Sequence, residues 1–148
     1  MTSASIIFWG DPMNRYLDWE HRLNDYLVTV GSSITPGAQV AWGKMDCCIY
    51  VAGAVEAITG TDPMADFRGR YRTSAGALRA LRKIGSGDLR STLATRLGTE
   101  KPPASAMRGD IGYSDGACGI VIGKITLFLG AGGVVRFPTL KLECAYSV

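Results

Sequence analysis

Residues 41–60, AWGKMDCCIYVAGAVEAITG, decide how the rest of the chain is read. Asp46 is a good N-cap, Gly60 stands where a C-cap glycine belongs, and only Glu56 and Thr59 bring clear polarity to the later part of the segment between them. A helix apolar on nearly every side is a buried one, so the spacing predicts the central helix of the core. At its head stand two adjacent cysteines, Cys47 and Cys48. The unpaired N–H groups and dipole of a helix start favour thiolate, which makes this a sensible place for a nucleophile. Equally, free cysteines commonly serve as small, soft core residues, and that reading stands beside the first.

Upstream, Tyr16, Trp19, Leu23, Tyr26, Leu27 and Val30 form one helical stripe within residues 14–30, and the run GSSITPG from Gly31 carries turn chemistry that should end the helix. The sole histidine, His21, points away from that stripe and reads as solvent-facing. Downstream, the loop TGTDPMADFRGRYRT precedes two shorter helical segments, one marked by Leu78 and Leu81, the other by Leu89, Leu93 and Leu97. The segment GTEKPPASAMRGD reads as a linker, after which the period changes. DIGYS, CGIVIG, KITLFLG, GVVRFP and ECAYSV are short β-rich runs divided by Gly or Asp. Helices first and strands afterwards predict one α+β domain over residues 1–148, with a mainly helical half (1–100) and an antiparallel sheet (108–148) packed on the central helix. No internal repeat is visible.

Composition narrows the function classes. A chain of 148 residues, 47% hydrophobic and 20% charged, can bury a core without disulfide or metal staples. No run approaches the roughly 20 apolar residues that span a bilayer. The N-terminal SASIIFWGDP lacks a basic start and breaks at Asp11-Pro12, so it does not read as a signal peptide. The expectation is a protein made and kept in a cytosol, or exported by a route independent of such signals.

Four cysteines, at 47, 48, 118 and 144, are too few and too unevenly spaced for a disulfide scaffold. Without a Cys-x-x-Cys pair, and with neighbours awkward as joint ligands of one tetrahedral ion, no metal site is expected, and no motif calls for a cofactor. The net charge of +3 is unevenly spread. From Arg68 to Arg108 there are ten Lys or Arg against two acids, a net +8, leaving six against eleven elsewhere. Such a block suits an acidic partner, or else solvates the outer faces of two helices. Apart from Tyr71 no aromatic interleaves it, so nucleic-acid contact ranks last.

A nucleophilic thiol needs an imidazole to activate it and a third group to orient that imidazole. The ordered elements WGxxDC and RGDIGYSDGACGIVIG resemble the NlpC-type branch of the papain-like cysteine peptidases, whose members cleave peptidoglycan stem peptides. Trp42, Gly43, Asp46 and Cys47 match the first element, Gly109 and Asp110 a Gly-Asp strand, and Gly119 and Ile120 a His-x-Gly-Ile strand. With TGTDPMADFRGRY and a terminal strand such as AYSV, nearly the whole chain is more specifically similar to a family encoded in phage and prophage tail-gene clusters. The resemblance implies a papain-like NlpC-type fold, Cys47 at the nucleophile position, and Trp42 and Asp46 beside the cleft.

It also implies that catalysis is degenerate. Ala117 stands where the catalytic histidine belongs, Cys118 one residue on should face away from the site, and KITLFLG offers no His, Asn or Gln for the orienting position. The expected function is a tail-tip or tail-assembly protein of the phage virion, assembled in the host cytoplasm, that contacts other tail proteins. The alternative is an active peptidoglycan endopeptidase using Cys47 with an unusual or partner-supplied base.

Overall fold

The computed structural model describes residues 14–34, 40–130 and 132–148. The N-terminal SASIIFWGDP and most of the ITPG turn therefore lie outside the described residues. Within them the order is α1 (Trp19–Ser33), α2 (Cys47–Thr59), α3 (Ser74–Lys83), α4 (Leu89–Arg96), β1 (Glu100–Lys101), β2 (Ile111–Ser114), β3 (Ala117–Val121), β4 (Ile125–Gly130), β5 (Gly133–Pro138) and β6 (Cys144–Tyr146). The α+β class and the helices-then-strands order are as the sequence predicts. No helix among the described residues is long and apolar enough to cross a membrane.

α2 begins and ends where its end signals place it. The Asp46 carboxylate accepts the Ile49 N–H at 3.0 Å, and Gly60, at φ +84°, terminates the helix with its N–H on the Glu56 carbonyl. Ile49, Tyr50, Val51, Ala52, Ala54, Val55 and Ile58 are all buried. α1 crosses α2 closely because Gly53 has no side chain. A Cβ there would lie 2.3 Å from the Tyr26 hydroxyl, which donates to the Tyr50 carbonyl at 2.7 Å.

Two helical details differ from the sequence reading. α1 starts later, at Trp19, with Tyr16 lying before it against the α2 C-terminus, and it runs through Gly31 to Ser33. The Ser32 and Ser33 hydroxyls donate to the Val28 and Val30 carbonyls, at 2.7 Å each, which satisfies acceptors in the last turn and carries the helix past its glycine. In α3 the inward stripe is Ala77, Ala80, Leu81 and Ile84, while Leu78 is 58% exposed. The 3.6-residue period, not leucine content, sets that face.

The strands form one antiparallel sheet ordered β1-β6-β2-β3-β4-β5. The pairings Ile111↔Ile120, Tyr113↔Cys118, Ile111↔Tyr146, Tyr113↔Cys144 and Ile120↔Leu127 put these residues on one face, where they join the core that contains α2. Gly112, Gly119, Thr126 and Phe128 point the other way, and Leu142 covers part of that second face. β1 lies in what the sequence reads as pure linker: two residues, Glu100 and Lys101, pair with Tyr146 and Ala145. A strand that short carries no periodicity to detect.

Candidate functional site

The turn before α2 is built around one buried carboxylate. Asp46 accepts from the Gly43 N–H at 2.8 Å, the Ile49 N–H at 3.0 Å and the Tyr71 hydroxyl at 2.8 Å. Gly43 sits at φ +82°, and a Cβ on it would come within 2.2 Å of the Tyr71 carbonyl oxygen, so the glycine of the Trp-Gly pair is a steric requirement. Burial, followed by the bond to Asp46, raises the Tyr71 phenol above its ordinary range. Both Asp46 oxygens are thus committed to holding the turn, which suits a positioning role better than that of a base. Trp42 stands on the rim, 37% exposed.

Cys47 and Cys48 open α2, both half-buried, and Cys118 is buried on β3. The three Sγ atoms all lie within 4.8 Å of one another, and the Cys118 thiol points at the Cys47 carbonyl oxygen, 3.6 Å away. This corrects the expectation that Cys118 faces away from the site. Alternation does place residues 117 and 118 on opposite faces, but α2 packs on the face of Cys118 and Ile120. Ala117 is directed to the other face.

Thiol donation sets the protonation pattern. The Cys118 thiol first, and then that of Cys48, holds Cys47 well below the ordinary thiol range. Cys118 is itself raised by Cys47, Cys48 and burial. For Cys48 the pull of Cys118 downward is outweighed by Cys47 and burial, so it stays high. The cluster therefore favours one thiolate, on Cys47, at the positive end of α2.

The imidazole that peptidase chemistry requires does not stand beside it. His21 is on the exposed side of α1 with 76% of its side chain accessible, 3.3 Å from Asp25. The helix-facing residues of β4 are Leu127 and Leu129, which give nothing to orient a base.

The other motif residues build scaffold. Asp110, buried, binds Arg15 at 3.2 Å and Lys101 at 2.8 Å and accepts the N–H groups of Met107 and Val148. In the TGTDPMADFRGRY loop, Asp62 holds Arg68, while Asp66 binds Arg96, whose guanidinium also reaches the Pro63 and Ile84 carbonyls. Met64 and Phe67 plug the core beneath.

The basic block divides accordingly. Arg68, Arg90, Arg96 and Lys101 form ion pairs, and Arg108 bonds Asn24 and the Ile122 carbonyl. Arg70, Arg72, Arg79 and Lys83 instead line an open groove of about 510 Å³ floored by Tyr71, Ala80 and Ile84. None of those four forms an ion pair among the described residues.

The Cys118 contact and the Tyr71 latch are the features that sequence reasoning missed. A signal for the first existed: Ile120 shares the parity of Cys118, whereas Ala117 and Gly119 are small. Among known proteins, no curated protein and no solved structure matches the chain. One family model does match, over residues 14–148, described as "Domain of unknown function (DUF6950)". Since that match takes in the capped central helix, the thiol cluster and the whole sheet, the chain belongs to the DUF6950 family.

Proposed function

We propose that the protein is a phage tail-tip or tail-assembly component whose NlpC-like, papain-related fold has lost hydrolysis and serves as a docking scaffold for other tail proteins. The observation that carries this reading is the partner of Cys47: a nucleophile-type thiol at the head of a buried helix meets Cys118 and Cys48 where peptide hydrolysis needs an imidazole. Removing the base from such a unit costs several orders of magnitude in rate. The groove of Arg70, Arg72, Arg79 and Lys83 supports the docking half of the reading. Four cations that form no ion pair among the described residues are available to an acidic face on a neighbouring subunit.

The test is assembly. Deleting the gene from the phage should abolish or shorten infectious tails, and the purified protein should be captured by tail-tip subunits. The double reversal Arg79→Glu with Lys83→Glu should lower the association rate and its salt dependence. Normal tails without the gene, together with no capture, would sink the reading. The depressed Cys47 pKa favours a second reading, a peptidoglycan endopeptidase with a base supplied by a partner. Stem-peptide cleavage lost in Cys47→Ala and kept in Cys48→Ala would establish it.

A further inference from the structure

We propose that Cys47, Cys48 and Cys118 form a three-sulfur binding site for Cu(I). Two of the ligands are the first residues of α2 and the third is on a central strand, so the cluster is mounted on rigid elements that pack directly on each other. Its three Sγ atoms lie within 4.8 Å of one another. Metal–sulfur bonds of about 2.3 Å in a trigonal arrangement place the sulfurs about 4 Å apart, so side-chain rotation of under roughly an ångström closes the site. Cys47 and Cys48 are half-buried, and Cys118 closes the inner side.

The donor set selects the ion. All three ligands are soft sulfurs, which favour Cu(I) among the common biological cations. Zinc in a closed structural site takes four ligands, and no fourth is at hand among the described residues. Asp46 is the nearest carboxylate in sequence, but its oxygens are occupied by Gly43, Ile49 and Tyr71. His21 is exposed on α1 beside Asp25. A trigonal d¹⁰ ion is satisfied by three sulfurs alone. Binding exchanges thiol protons, released to solvent, for the ion, with no change of oxidation state. The excess negative charge of the thiolates is met by the positive end of α2. This site does not depend on the tail-docking reading, because it needs no partner.

The experiment uses the reduced full-length chain without oxygen, titrated with Cu(I) held by a chromophoric bicinchoninate chelator. One Cu(I) per chain should be withdrawn from the chelator, and X-ray absorption should show three sulfur neighbours. Cys47→Ala, Cys48→Ala and Cys118→Ala should each weaken binding by about 100-fold or more, while Cys144→Ala leaves it unchanged. Copper left on the chelator, wild-type affinity in Cys118→Ala, or retention of Zn(II) against Cu(I) would overturn the proposal. Should a variant fail to fold, the absorption spectrum of the wild type decides alone, two sulfur neighbours counting against the site.

Discussion

The Cys118 sulfur lies 3.6 Å from the main-chain carbonyl oxygen of Cys47, which ties the second residue of β3 to the first residue of α2. Through that approach a third thiol joins Cys47 and Cys48 at the head of the central helix.

The protonation pattern is directly measurable. Because donation from Cys118 and Cys48 lowers the Cys47 pKa, its thiolate is retained to lower pH than that of a free cysteine and is lost as pH falls through the depressed value. Iodoacetamide labelling read by mass spectrometry should modify Cys47 with an inflection well below that of a free cysteine, and Cys118→Ala should move the inflection upward. Cys48 and Cys118, both raised, should label slowly at neutral pH. An inflection for Cys47 at the free-cysteine value would defeat this account.

Asp46→Ala removes a cap and two further buried bonds. With about 1 kcal/mol for the cap and roughly 1.5–3 for each charge-assisted bond, the loss should be about 4–7 kcal/mol in urea denaturation. Tyr71→Phe should cost about 1.5 kcal/mol. The two should be non-additive, since both delete the same 2.8 Å bond.

Two left-handed glycines separate strain from collision. Gly69→Ala, at φ +73° with open space around the added methyl, should cost about 1–2 kcal/mol. Gly43→Ala meets the Tyr71 carbonyl oxygen at 2.2 Å as well and should cost distinctly more. Equal melting temperatures for the two variants would show that the turn relaxes freely.

Asp110 gathers Arg15, Lys101 and the Val148 N–H at one buried point. Asp110→Ala leaves those two cations without their carboxylate, and breaking such a buried pair costs about 3–5 kcal/mol. Hydrogen exchange should then rise first at β6 and in the approach to α1, which the carboxylate joins. Wild-type protection there would refute the anchoring role.

Much of the fold was legible in local signals. Asp46 and Gly60 delimit α2 through capping chemistry that acts over four residues, and Leu89, Leu93 and Leu97 mark a buried helix face by period alone. Leu78 misled because residue type was weighed above spacing, and β1 escaped because two residues cannot express a period. Several of the motif residues have architectural roles. Gly43 answers to the Tyr71 carbonyl and Asp110 to Arg15, both partners being supplied by distant segments of the chain.

The sequence by itself determined that a capped, apolar helix carries Cys47 at its head, that short strands follow, and that residues 117 and 118 occupy opposite faces of one of them. It did not determine which face that helix covers. Strand alternation is a local rule of backbone geometry, symmetric between the two faces, and it is broken only when the larger apolar residues of β2, β3 and β6 bury themselves against α2. That long-range choice brought Cys118 to Cys47 and turned Ala117 away.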